Sequence, residues 1–307
     1  MRPDATFLTA LALDRLLGEP PPALHPVVWL GRAVAWASGH VPWGDPRREF
    51  RYGLAMAAGF PLAAAAAGWL AVRAARSWSR PGGFLLAAWL LKTAFAVRNL
   101  EEAAAPVADA LERGDLPAAR RAVAMLVSRP VETLDAAGVA SAAVESVAES
   151  TADAFLGPWL AYALFGLPGA LAYRAVNTLD SMVGYHGRYE HAGRASARLD
   201  DALNLVPSRL AAACLVAAAA ASGEDAAGAW RALRRDGGRT ESPNAGRPMA
   251  AAAGALGVAL EKPGHYRLNG GGRAPGPADV RRALRLARRA ALPAALLVLL
   301  LRGLRRG

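Results

Sequence analysis

The sequence predicts an all-α protein, a polytopic bundle of membrane-spanning helices with amphipathic and surface helices beside it. Three observations carry that prediction. Hydrophobic residues make up 54% of the 307-residue chain while 20% are charged, and a mean hydropathy of +0.18 at that charge content requires the charges to be segregated from the apolar stretches. Two stretches, 52–72 and 154–173, are uncharged over the roughly 20 residues that a spanning helix needs. Alternation of apolar and polar residues, the mark of a half-buried strand, is scarce.

The apolar run 7–13 is too short for a secretory leader and is flanked by Asp4 and Asp14, so no removed signal is expected. Asp14, Gly18, Glu19, Pro20, His25 and Pro26 then form a proline-stiffened lead into the next helix. The run 52–72 has arginines at both ends (Arg47, Arg48 and Arg51; Arg73 and Arg76), which leaves its direction undecided. Residues 82–97 are shorter and carry Lys92; with 210–223 and 290–301 they are tilted, half-inserted or buried in protein. Residues 100–125 read as a surface helical pair broken near 114–117, with Asp115 as a cap. Pro158, Pro168 and three glycines bend the run 154–173.

Residues 236–248 read as a loop, with Pro248 opening the next helix, and 269–277 as a Gly/Pro linker. Arg281, Arg285, Arg288 and Arg289 then recur at helical spacing. That basic face is expected to lie against anionic lipid. The arginine-rich C-terminus (Arg302, Arg305, Arg306) is expected on the cytoplasmic side of an inner membrane. The chain 1–307 is taken as one integral membrane domain, with 279–307 a basic helix and a C-terminal membrane segment. The net charge of +11 comes without a nucleic-acid motif, and the arginines flank apolar runs instead. The one cysteine, Cys214, sits in an apolar run and packs as a small hydrophobe.

Five segments can carry chemistry. Glu145, Glu149 and Asp153 follow one another at i+4 and share a helix face just before an apolar run. They either bind a cation and act as acid or base, or form a solvated acidic face. Asn177, Asp180, Ser181 and Gly184, followed by Tyr185, make a polar stripe: a ligand site or a seam between helices. Asp200 and Asp201 with Asn204, next to Arg198, present oxygen ligands of the kind magnesium takes, or else acidic residues at a helix start. Ser242, Asn244 and Arg247 belong to a turn whose amides and guanidinium can hold a phosphate. The fifth is the N-terminal segment with His25, a residue type more often structural than catalytic. No P-loop, G-x-G-x-x-G, H-E-x-x-H or C-x-x-C is present.

In this order the segments AVESVAE, AVNTLDSMVGY, SARLDD with Asn204 and Pro207, and SPNAG followed by GALGV resemble the CobD/CbiB family of cobalamin biosynthesis, from about residue 14 to about residue 266. The sequence departs from the family pattern at Ser150, Arg194, Arg247 and Met249. The resemblance implies a membrane-bound helical enzyme that joins adenosylcobyric acid to (R)-1-aminopropan-2-ol or its O-phosphate as an amide, using ATP and Mg2+. ATP would turn the acid into an acyl phosphate for the amine to attack. The corrinoid cobalt comes with the substrate.

On this reading Glu145, Glu149, Asp153 and Asp180 are the catalytic candidates, with Asp200, Asp201, Glu145 and Glu149 as magnesium ligands. Asn177, Ser181, Tyr185, Arg198, Asn204, Ser242, Asn244, Arg129 and His25 would bind substrate, with Arg198 and Arg129 on the aminopropanol phosphate. The implied partners are the corrinoid, the aminopropanol (phosphate) and the lipid membrane, without nucleic acid. A homo-oligomer or a complex with other cobalamin-pathway enzymes would be the larger assembly. A membrane corrinoid carrier and a scaffold for late pathway enzymes are the alternatives.

Overall fold

The computed structural model describes residues 3–185 and 187–305, so Arg306 lies outside the described residues. The all-α expectation holds. Helices α1 (Pro3–Leu17), α2 (Pro26–Ser38), α3 (Pro46–Trp78), α4 (Arg80–Thr93), α5 (Val97–Glu112), α6 (Leu116–Val123), α7 (Ala136–Ser150), α8 (Gly157–Val183), α9 (Arg194–Ser222), α10 (Ala226–Asp236), α11 (Gly246–Leu256) and α12 (Pro277–Leu304) carry the chain. Among the described residues the sheet consists of β1 (Leu260–Lys262) and β2 (Tyr266–Leu268), paired antiparallel.

Four helical stretches are long and apolar enough to cross a membrane: Pro46–Trp78, Arg80–Glu112, Ala136–Val183 and Arg194–Ser222. The uncharged runs 52–72 and 154–173 lie in the first and third. The shorter runs 82–97 and 210–223 reach spanning length because helix continues through their polar flanks. The run 290–301 is not in this set; at 1.5 Å per residue it covers about 18 Å, short of a hydrocarbon core of about 30 Å.

The chain divides into two compact units. The first comprises Met1–Ala96, Gly157–Leu203 and Val298–Gly307. In it α3 packs along α8 and α4, α1 lies on α4, and α2 lies on α8. Val34, Ala37, Met56, Leu179 and Val183 form a buried apolar cluster. Trp159 meets Phe7 and Phe95 edge-on, with ring centroids 5.4 Å apart in both pairs. Lys92 is buried here, its Nζ 2.9 Å from Glu19 and 3.9 Å from Asp14.

His25 joins the same cluster. Its Nε2 lies 2.8 Å from Glu19 Oε2, and its Nδ1 accepts from the Val27 amide at 3.2 Å, capping α2. Burial pushes the Glu19 carboxyl up, but the hydrogen bonds from His25 and Lys92 outweigh it and hold the group below its ordinary value. Both ring nitrogens of His25 are thus committed within the fold. Replacing His25 by alanine is expected to cost about 1–2 kcal/mol, the loss of a cap and of a charge-assisted contact. A thermal melt in detergent measures it. A large loss of turnover without a fall in melting temperature would instead make His25 a substrate contact.

The second unit comprises Val97–Leu156 and Asn204–Leu297. Asp115 caps α6 as expected, accepting from the Ala118 amide at 2.9 Å. The α5–α6 pair is less superficial than its charge suggests: Leu100, Ala104, Val107, Ala108 and Ala110 of α5 are buried, and α5 packs on α6 and α7. Helix α11 starts at Gly246, which makes Pro248 its third residue instead of its first. Helices α10 and α11 meet where a Cβ on Gly254 would stand 2.3 Å from the Gly228 carbonyl oxygen.

Two arginines of the basic face expected against lipid, Arg281 and Arg288, pair with protein carboxylates, as does Arg282 beside them. Arg281 lies 2.6 Å from both Asp109 and Glu112, Arg282 binds Glu224 and Asp279, and Arg288 lies 3.8 Å from Glu101. A fixed carboxylate next to the guanidinium is a stronger partner than a mobile headgroup across solvent. Cys214 is buried and free, as expected.

Candidate functional site

The alanine-rich helix α7 is buried over most of its length and is capped by Asp135, which accepts from the Gly138 amide at 2.7 Å. That burial takes Glu145 inside with it, to 5% exposure. Its carboxylate is met from three directions. Oε1 accepts from Ser141 Oγ at 2.7 Å. Oε2 accepts from the Tyr266 hydroxyl at 2.8 Å and lies 3.1 Å from Arg129 Nη1. Ser141 Oγ also accepts from the Glu261 amide at 3.0 Å, which ties β1 to α7.

The turn between the strands carries Pro263 followed by Gly264 at φ +78°, and the His265 amide donates to the Lys262 carbonyl at 3.0 Å. Proline followed by a left-handed glycine at the two central positions suits a type II turn. The resulting register sets Lys262 directly opposite Tyr266, which puts both side chains on one face of the ribbon.

A cavity of about 170 Å³ opens at this point, lined among others by Arg129, Glu145, Glu149, Met249, Lys262 and Tyr266. Arg129 pairs with Glu145 through Nη1, while its Nε and Nη2 are buried with no hydrogen-bond partner. Two buried guanidinium donors without acceptors favour an anion in that space. Burial and the Glu145 carboxylate hold the Tyr266 phenol well above its ordinary value, so it stays a proton donor. The cavity is smaller than the 300–1,000 Å³ or so of a drug-sized pocket and suits a ligand of a few heavy atoms.

The expected stripe of three carboxylates is therefore split by role. Glu145 is saturated by protein donors. Glu149 is partly open on the same cavity. Asp153 falls in a π-helical segment, Thr151–Leu156, and is not part of the cavity lining. The wider π turn shifts the register of every residue beyond it, which i+4 counting cannot anticipate.

In the second unit Asn244 is buried and accepts from Ser208 Oγ at 3.2 Å, and Ser242 Oγ accepts from the Asn244 amide at 3.3 Å. The turn is thus bound to α9 through its own side chains. Arg247, beside it, has its guanidinium held below the ordinary value by burial and by the charge of Arg209, and its buried Nε has no hydrogen-bond partner. Two neighbouring arginines of this kind favour an anion, as the turn's composition suggested. Asn204 is buried on α9.

In the first unit Asn177 accepts from Arg174 at 3.3 Å, and the Ser181 hydroxyl is turned back onto the Thr178 carbonyl at 2.9 Å. Asp180 lies within range of the Asp201 charge. Gly184 makes room for Asp180 itself and not for a ligand, since a Cβ there would lie 2.1 Å from Asp180 Oδ1. Tyr185 and Arg198 are exposed, and Asp200 is half-buried on α9 beside Asp201. Among the described residues no three His, Cys, Asp or Glu side chains converge as a metal site. Ser141, Lys262 and Tyr266 were not anticipated; the Pro263-Gly264 pair was the available sign of a turn there.

A family model described as CobD/Cbib protein matches residues 7–287. The chain is 42% identical over 266 residues to the cobalamin biosynthesis protein CobD of Dehalococcoides mccartyi, covering 85% of each chain. It is 45% identical over 257 residues to the protein of that name in Geobacter metallireducens (83% of this chain, 80% of the relative). It is 39% identical over 303 residues to that of Rhodobacter capsulatus, with 93% of each covered. No solved structure matches. A match that runs through nearly all the helices described above, at this identity, means that the chain belongs to the CobD/CbiB family.

Proposed function

We propose that this chain is a membrane enzyme of cobalamin biosynthesis that forms the amide between adenosylcobyric acid and (R)-1-aminopropan-2-ol or its O-phosphate, at an inner membrane. The observation that carries the reading is Arg129, which lines a small cavity with Lys262 and Glu149 and has two buried donors without a hydrogen-bond partner. A short phosphorylated amine has the charges this cavity complements: phosphate on Arg129 and Lys262, amine on Glu149. Glu145 fixes the guanidinium and the Tyr266 hydroxyl in place and acts as a positioning residue. Glu149 is the group within the cavity able to take a proton from the ammonium so that the nitrogen can attack.

Condensing a free carboxylate with an amine is uphill in water, and ATP with Mg2+ supplies the activation when bound. Asp180 and Asp201 are the pair that would hold the magnesium, because that ion takes one or two carboxylates and completes its shell with phosphate and water oxygens. Within the second unit, Arg247 with Arg209 is a pair suited to a phosphate.

The test is to incubate the purified protein with adenosylcobyric acid, aminopropanol phosphate and Mg2+, with and without ATP, and to weigh the corrinoid product by mass spectrometry. The expected result is the amide with ATP alone. Product without ATP would remove the activation step, and no product from folded protein would favour a carrier or scaffold.

A further inference from the structure

The first unit contains a larger cavity, of about 670 Å³, that the amide-forming reading does not use. Its lining includes Arg73, Arg76, Arg80 and Arg302 together with Trp69 and Phe84, and contains no Asp or Glu. Among the described residues none of the four arginines has a carboxylate within ion-pair distance, unlike Arg281, Arg282 and Arg288 of the second unit. Local structure holds them together. Ser79 ends α3 and caps α4, accepting from the Gly82 amide at 3.2 Å, so Arg76 and Arg80 flank one tight corner. A Cβ on Gly83 would stand 2.3 Å from Arg76 Cγ, so the glycine lets the Arg76 stem lie across α4.

The fourth arginine is placed by a break in α8. Gly166 adopts φ +71° and ψ −162°, which interrupts the helix and frees the carbonyls of the preceding turn. Arg302 Nη1 donates to the Tyr162 carbonyl at 2.9 Å, and Arg305 donates to that of Leu164. The Arg302 guanidinium also lies 4.7 Å from the centre of the Tyr162 ring, while its buried Nε has no hydrogen-bond partner. Arg73 lies over Trp69 at 5.2 Å. The cavity thus combines clustered, unneutralised guanidinium donors with aromatic walls.

Its depth in the bilayer follows from α3. The uncharged run 52–72, at 1.5 Å per residue, is about 30 Å long, the thickness of the hydrocarbon core. Arg73, Arg76 and Arg80 follow that run directly, at the level where phospholipid phosphates lie. Trp69 lies one turn deeper than Arg73, and Val72 one turn deeper than Arg76, toward the start of the acyl chains.

We infer that this cavity binds the phosphate headgroup of an anionic phospholipid, with the arginines on the phosphate and Trp69, Val72 and Phe84 along the first part of the acyl chains. The site is independent of the amide-forming reading, and its test uses no enzymatic turnover.

The full-length protein is placed in nanodiscs of phosphatidylglycerol and phosphatidylcholine, and bound lipid is read by native mass spectrometry. The expected result is a retained phosphatidylglycerol adduct whose affinity falls about thirtyfold in the double variant R73Q/R76Q, on the scale of one anionic-lipid contact per arginine. Both positions are exposed, and neither caps a helix. The control R47Q/R48Q removes equal charge at the other end of α3 and should keep the adduct. Equal loss in the control would show general surface electrostatics and overturn the site, as would an adduct unchanged in R73Q/R76Q or one with no preference for phosphatidylglycerol. Displacement of the lipid by inorganic pyrophosphate would overturn the lipid assignment in favour of a soluble phosphate ligand.

Discussion

Replacing Glu145 by alanine is expected to destabilise the protein by about 3–5 kcal/mol, because the buried Arg129 guanidinium then loses its counter-charge. Tyr266 and Ser141 lose their acceptor in the same step, and Ser141 also anchors β1. Glu145→Gln keeps the volume and part of the hydrogen bonding, so its melting temperature should fall between the wild type and the alanine variant. On the proposed function, Glu145→Gln should also lower amide formation from the phosphorylated amine by about a hundredfold, as small displacements of a positioned group do. The loss should appear mainly in KM for that amine and be much smaller for the amine without phosphate, which does not need Arg129. Equal losses for the two amines would confine Glu145 to a structural role. Unchanged melting and turnover would remove it from the site.

Asp279→Ala is expected to cost about 3 kcal/mol, since the carboxylate is buried and multiply bonded. Arg273 grips both oxygens at 2.7 and 2.6 Å, Arg282 donates at 2.8 Å, and the Gly276 amide donates at 2.9 Å. The last contact reaches back to the residue before α12, as in a capping box, so one side chain starts the helix and joins two arginines to it. Burial alone would raise the Asp279 pKa. The hydrogen bonds from Arg273, Gly276 and Arg282 outweigh it and hold the group below its ordinary 3.8. The stabilisation is therefore fully present above the unfolded value and is lost as pH falls through the lower folded value. Melting curves of wild type and variant recorded from about pH 7 to about pH 3 should converge at the acid end. A constant difference across that range would mean that the charge of Asp279 does not stabilise the fold.

The helical class, the uncharged runs, the Asp115 cap and the order of the motifs are legible without a structure. Each of these is written in a window of a few residues, where apolar periodicity, charge and capping chemistry act locally. The sequence also singled out Glu145 and Glu149, because carboxylates beside an apolar run need a reason to be there. It did not separate them. Glu145 is closed by Tyr266, 121 positions along the chain, while Glu149 is only half-buried, and only packing decides which of two equivalent side chains is taken into the interior. The same applies to the arginines. Arg281 and Arg288 of α12 read only as part of a basic stripe until Asp109, Glu112 and Glu101 came within reach. Arg73 and Arg76 read as ordinary flanking charges until the fold brought Arg80 and Arg302 beside them. Charge in a sequence has no partner until the chain folds. Coulomb energy and desolvation depend on distance and burial, and those are set by contacts between segments far apart in sequence.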